Sequence, residues 1–384
     1  MQNPFKELWG LDPSIVFLNH GSFGATPKSI LSTQARWRST MEEDPVYFMT
    51  ELAPSLIRNS AERLAQFLHT SADQLVFVEN ATTGVNAVLR SLLPILRPSD
   101  EILTTSHVYG AVWQTLQYLR DSTGVRLVTA EVPFPIAHND EVISAVKSAI
   151  TPSTKLVVID HITSPTGILF PIEEIIRYCK ELDIYTLIDG AHAPGNVVLN
   201  LDQLQPNWYT GNCHKWMCAP KGTAFLWSSP EMAPFTHPTI ISHNYKQGFI
   251  NEFDWIGTRD ITSILCIPDV LDLIEEWGGV ETITQKNKEL LLKGRAILTN
   301  ALGIEAPADE AFLTTMATLP LPFQMTPSEE AKLHLNVRLR KERSIQMPFM
   351  PFNDSMWFRI SSFLYNTEDE YQYLAESLPT LFGA

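Results

Sequence analysis

Between residues 74 and 228, short apolar runs take turns with longer segments whose apolar residues recur at helical spacing. That alternation is the pattern of a mostly parallel sheet covered by helices. The strand candidates are residues 75–78, 101–105, 126–130, 156–160, 185–189, 208–211 and 223–227, with helices expected over 83–93, 111–119, 140–150 and 171–182. Helical patterns at 261–276 and 280–302 separate this block from a tail with strand candidates 312–319 and 355–363 and a last helix over 368–378. The expected class is α/β: a mostly parallel seven-stranded sheet with flanking helices, then a smaller α+β C-terminal domain. A chain of 384 residues also exceeds the roughly 250 to 300 at which single cores stop growing. The expected division is an N-terminal arm over 1–14, a large domain over 15–260 and a small domain over 261–384, the arm being free to pack with the last. Pro320-Leu321-Pro322 reads as a local break within the tail.

Twenty-eight basic residues against 43 acidic give a net charge of −15. Nucleic-acid binding needs a concentrated positive surface, so no nucleic acid is expected as a partner and a small molecule is. Cys179, Cys213, Cys218 and Cys266 are too sparse for a disulfide framework, and Cys213 with Cys218 lacks the second ligand pair of a zinc site. No metal is expected, and the thiols read as reduced and buried. The start, Met1-Gln2-Asn3-Pro4-Phe5-Lys6-Glu7, has no basic stretch followed by an apolar one, and no run approaches about 18 apolar residues. A cytoplasmic location with no membrane contact is the expectation.

In open α/β sheets ligands collect at the carboxyl ends of the strands. Asp189 closes the apolar run 184–188 and should emerge buried at that edge, where a lone carboxylate is costly. It either caps a following helix or meets a cationic partner, and Gly190-Ala191-His192-Ala193-Pro194-Gly195 is a poor helix start. Lys215 follows the next strand in Gly211-Asn212-Cys213-His214-Lys215-Trp216. A desolvated lysine amine attacks aldehydes, and His214 gives it a polar neighbour. A carboxylate and an active amine so arranged suit pyridoxal phosphate (PLP), whose aldehyde needs an amine and whose ring nitrogen needs an acid. His192 could donate to the cofactor's phenolic oxygen or be a satisfied structural histidine. Asn80-Ala81-Thr82-Thr83-Gly84 opens a helix after a strand, and its hydroxyls and free N–H groups serve equally as a cap or as a phosphate cradle.

Asp189-Gly190-Ala191-His192, His214-Lys215, Ala81-Thr82-Thr83-Gly84 and His161-Ile162-Thr163-Ser164-Pro165-Thr166-Gly167 together resemble the class V aminotransferase family of fold type I PLP enzymes. Asn19-His20-Gly21-Ser22-Phe23-Gly24, Trp255-Ile256-Gly257-Thr258-Arg259-Asp260, Arg359-Ile360-Ser361 and Tyr365-Asn366 are most similar to its isopenicillin N epimerase branch, which also holds C–S lyases. The resemblance implies Lys215 as the lysine that holds the aldehyde, Asp189 at the ring nitrogen and His192 at the phenolic oxygen. It implies Thr82, Thr83, Asn212 and His214 around the phosphate, and Tyr109 stacked on the ring, with His107 as the less favoured stacker. It also implies a cofactor contact for Ser164, at a position where desulfurase relatives often carry asparagine. Gly257 and Thr258 would complete the site of a second subunit, which implies a homodimer. Arg359 would grip the substrate carboxylate, and Asn19 would line the substrate pocket.

The chemistry implied is α-proton removal from an amino acid or a peptide-linked amino acid, with Lys215 and Asp189 at its centre. Epimerisation leads, with Tyr109 or a histidine as second acid; C–S lysis and transamination are the alternatives. Desulfurase chemistry needs a nucleophilic cysteine upstream of Arg359, and no cysteine lies beyond Cys266. A PLP-fold protein that binds without catalysis is the remaining alternative, disfavoured by the retention of Lys215 and Asp189.

Overall fold

The computed structural model describes residues 3–323 and 325–382. After a short strand β1 (Val16–Phe17), the expected block contains β2 (Leu75–Val78), β3 (Glu101–Thr105), β4 (Arg126–Ala130), β5 (Thr154–Asp160), β6 (Tyr185–Asp189), β7 (Trp208–Asn212) and β8 (Ala224–Ser228). These seven form one sheet in the order β2-β8-β7-β6-β5-β3-β4. β8 alone runs against the direction of the other six. It follows β7 through a loop with no crossover helix, and a parallel pairing would need one. The loop carries Lys215.

Successive residues of a strand face opposite sides of a sheet, and here both sides are apolar. Leu103, Val157, Ile159, Ile188 and Phe225 enter one core. Their neighbours Ile102, Leu156, Val158, Leu187 and Leu226 enter the other. Continuous apolar runs rather than alternating ones follow from this double burial.

The tail adds β9 (Met316–Pro320), β10 (Ile345–Gln346), β11 (Phe349–Phe352) and β12 (Ser355–Ser361). β12 pairs antiparallel with both β11 and β9, and β10 pairs parallel with β1. The expected strand over 312–319 is shorter than its apolar run, because Glu310–Phe312 winds as a 3-10 turn. Likewise the helix expected from 261 begins as α-helix only at Ile267, after a 3-10 turn at Ile264–Cys266. Asn3 donates through Nδ2 to the carbonyls of Leu364 (2.8 Å) and Asn366 (3.1 Å), and Lys6 pairs with Glu370, so the start of the chain lies on the tail. Met1, Gln2, Gln324, Gly383 and Ala384, parts of the arm and the small domain expected above, lie outside the described residues. Among those described, no helix is long and apolar enough to cross a membrane.

Candidate active site

Three contacts fix the backbone of Lys215. His20 Nε2 lies 3.0 Å from its carbonyl oxygen, and the Cys218 N–H donates to the same oxygen at 3.0 Å. Gly24, at φ +67°, passes so close that a Cβ there would overlap the carbonyl of His214. The amine turns into a cavity of about 610 Å³ at the carboxyl ends of the central strands. A larger cleft, about 760 Å³, opens at the opposite edge of the sheet beside Lys155, Asp183 and Asn207, so volume alone does not locate the chemistry.

Lys215 Nζ is 3.1 Å from His192 Nε2, while Trp216 Nε1 donates to His192 Nδ1 at 3.3 Å. With Nδ1 accepting, the hydrogen-bond network assigns the ring proton to Nε2, which then donates to the lysine. Only a neutral amine can accept. Burial, helped by the charge of Arg359 and opposed by Asp189 and Asp160, brings the Lys215 pKa down to about 7. Half the amines are thus free near neutrality.

Asp189 does not cap a helix. Its Oδ1 accepts the Ala191 N–H at 3.0 Å in a local turn, and the next helix begins at Leu201. It is 3% exposed, and burial holds its carboxyl above the usual range. A buried acid with one amide donor fits a protonated ring nitrogen. At the start of the helix Ala81–Ser91, Asn80 Oδ1 accepts from Thr83 N at 2.9 Å, and Asn212 Oδ1 accepts from Ala81 N at 2.8 Å. Asn212 thus holds the helix start through its Oδ1 and lines the cavity beside it. The Thr82 N–H and hydroxyl remain open in the cavity wall with His214, whose Nδ1 donates to the Thr223 carbonyl at 3.1 Å. Such a helix start accepts a phosphate. The residues present thus fit PLP at its aldehyde, ring-nitrogen and phosphate ends.

Arg359 comes from β12 and is 2% exposed. Its Nη1 donates to the Ser164 carbonyl and approaches Ser164 Oγ at 3.4 Å, and Nη2 meets Ser22 Oγ at 3.3 Å. Burial pulls its pKa down to about 10, still charged at neutral pH, and no carboxylate among the described residues pairs with it. A buried guanidinium lacking a counter-ion can take one, and Arg359 stands directly behind Ser22 and Ser164 of the cavity wall. Ser164, expected near the cofactor, spends its carbonyl on orienting this arginine.

Tyr109 stands at the start of the helix Gly110–Thr123, 44% exposed at the cavity. His107 is no stacker: it is buried, with Nδ1 on Thr166 Oγ1 (2.7 Å) and Nε2 on the Val132 carbonyl (3.2 Å). Asn19 borders an adjacent hollow of about 320 Å³ rather than the Lys215 cavity, and its Oδ1 accepts from the Ser22 hydroxyl at 2.6 Å. Gly257 and Thr258 also lie outside the cavity within this chain, on a turn where Gly257 adopts φ +116°. Sequence reasoning missed Asp160 and Ser22. Asp160 had left a signal, a second aspartate closing a strand at the same edge; Ser22 had none beyond its place in a motif.

The family model described as "Aminotransferase class-V" matches residues 33–374. A probable chloroplastic L-cysteine desulfhydrase of Arabidopsis thaliana is 29% identical, over 96% of this chain and 83% of that one. An isopenicillin N epimerase of Amycolatopsis lactamdurans is also 29% identical, over 98% and 97%. Two solved structures of a cystine C–S lyase share the fold, each with a TM-score of 0.81 and 19% identity over 95% of this chain and 97% or 96% of theirs. One holds the product cysteine persulfide, the other glycine covalently linked to the PLP cofactor. The fold is type I of the PLP-dependent enzymes, and PLP is the cofactor. With the shared stretch reaching from the second helix to the last, the chain belongs to the class V aminotransferase family.

Proposed function

We propose that this PLP-dependent enzyme removes the α-proton of cysteine or a cysteine S-conjugate and expels the β-sulfur, as a C–S lyase. One observation carries the reading: a single buried amine, Lys215, whose pKa burial lowers to about 7, faces the cavity, and the histidines and the glutamate of its wall are engaged. His192 is bonded to Lys215, His214 to Thr223 and Glu79 to Arg259. PLP, when bound, delocalises the electron pair left at the α-carbon. Arg359 holds the substrate carboxylate in its fork, Lys215 Nζ takes the α-proton, and Asp189 keeps the ring-nitrogen end protonated. As Cα=Cβ forms, the Cβ–S bond breaks, and sulfur leaves as a thiolate that needs no strong acid. Hydrolysis of the resulting enamine yields pyruvate and ammonia. The desulfhydrase name of the Arabidopsis thaliana relative supports this choice.

A second reading is epimerisation, which the sequence ranked first. Tyr109 favours it: half exposed at the cavity, its hydroxyl has no hydrogen bond among the described residues and could reprotonate the α-carbon. Incubation of the holoenzyme with cysteine, its S-conjugates and cysteine-containing peptides in D2O separates the two. Pyruvate, ammonia and a thiol in equal amounts are the expected result. Inverted, α-deuterated amino acid without pyruvate would replace lysis by epimerisation, and no turnover of any substrate would remove both.

Substituting Arg359→Lys replaces a two-oxygen fork by a point charge, and KM for such substrates should rise about 10- to 100-fold while kcat moves less. Steady-state kinetics check this; an unchanged KM would take Arg359 out of substrate binding.

We also read the chain as a homodimer in which Gly257 and Thr258 reach the partner's site, and as an arm, a large and a small domain with the boundaries given above. Thr258 is exposed, Arg259 beside it pairs at 2.6 Å with Glu79 of the cavity wall, and Ile240 and Ile241 stand more than half exposed. These features support a second copy close to the cavity.

A further inference from the structure

β5 and β6 run parallel with Asp160 in register against Asp189. Register partners on adjacent strands project from the same face of a sheet. Both aspartates are 3% exposed, and both line the Lys215 cavity. Two carboxylates side by side in a dry site do not both ionise, since the charge on one adds to the desolvation cost of charging the other.

Their surroundings differ. Asp189 has the Ala191 N–H on Oδ1. Asp160 faces the Tyr109 backbone N–H and its own. Lys215 is the cation that acts on both, and Tyr209 on β7 turns its hydroxyl to His161 Nδ1 at 2.8 Å. Burial first, then the charge of Asp189, holds the Asp160 carboxyl well above the usual range. Asp189 is raised by burial too, but the Ala191 amide and Lys215 draw it back.

We propose that Asp160 is a positioning residue that holds the proton of this pair and donates it in a hydrogen bond to Asp189, which stays ionised with a lone pair free for the cofactor's ring nitrogen. This rests on the reading of Asp189 given above. A neutral neighbour fixes the orientation of the charged carboxylate without adding a second negative charge. Losing that proton would leave two buried anions in register, so the pair keeps it through the neutral range.

Infrared difference spectra of the holoenzyme in H2O and D2O read the proton directly. The expected result at neutral pH is a deuterium-sensitive C=O stretch of a protonated carboxyl, lost in Asp160→Asn and displaced in Asp189→Asn. A wild-type spectrum without such a band overturns the proposal, and needs no variant to fold. So does a spectrum whose protonated-carboxyl bands are all retained in Asp160→Asn. Cofactor affinity tests the underlying reading separately: Asp189→Asn should bind PLP at least about 10-fold more weakly, and Asp160→Asn within about threefold of wild type. Undiminished affinity in Asp189→Asn would remove Asp189 from the ring nitrogen, and the proposal with it, whatever the infrared bands do.

Discussion

Replacing Lys215 by alanine is expected to lower turnover at least about 10³-fold, the span a positioned general base contributes. The group nearest to the amine cannot take its place. His192 Nε2, the nearest titratable atom, is 3.1 Å from Nζ and carries a proton; its pKa is held well below the usual value, first by burial and then by Lys215. The loss should also be chemical in kind: borohydride should fix PLP to the wild-type chain and leave the variant unlabelled, as read by intact mass. The fold should be spared, because His20, Cys218 and Gly24 contact the Lys215 backbone and those contacts survive in alanine. Near-wild-type turnover, or a labelled variant, would reassign the lysine.

Acid should unfold the cofactor-free protein well above the range of ordinary carboxylates. Burial lowers the pKa of His20 to about 3, and of His107, His161 and His214 to about 4. Above the unfolded value near 6.5 these rings are neutral in both states. As pH falls below it, the unfolded chain takes up protons that the folded chain refuses, so stability is lost from about 6.5 down toward 4. Each ring amounts to about 1.4 kcal/mol over the first pH unit, and four of them to about 5 kcal/mol, a large part of a domain's whole stability. Asp160, whose carboxyl is raised and keeps its proton in the folded state, opposes this by about 1.4 kcal/mol per pH unit and so returns about half of that loss, while His192, also held well below its usual value, adds to it, and the balance is a net loss. Thermal unfolding should move down by about 5 °C or more between pH 7.5 and 5.5. A midpoint that stays level would show that these rings are charged in the fold.

The sheet was legible because its strands are apolar on both faces, and a short, unbroken apolar run bounded by turn residues has room for a buried strand and little else. Helices that bury little were not. Lys28–Glu43 buries Ile30, Thr33 and Gln34, and Glu329–Arg343 only Leu335 and Leu339, so neither writes a strong stripe into the chain. At the site, Lys215, Asp189 and Thr82 could be read because local motifs put them at strand ends and a helix start. Pairings across long sequence distances could not. Ser22 meets Arg359, Asp160 adjoins Asp189, and Asn212 is claimed by Ala81, each through tertiary packing alone. Asn19 belongs with these: its motif was visible, but the Ser22 hydroxyl that holds it beside the adjacent hollow is a matter of backbone direction.

The short stretch from Asn19 to Gly24 contributes His20 behind the lysine, Ser22 on the arginine and Gly24 against the His214 carbonyl. All of it precedes residue 33, where the match to the family model begins. How firmly the lysine is braced and the arginine is held thus depends on a few residues that the family model leaves out. Removing that leading stretch would leave the sheet its strands and the cavity its lysine, but would deprive both of their outer support.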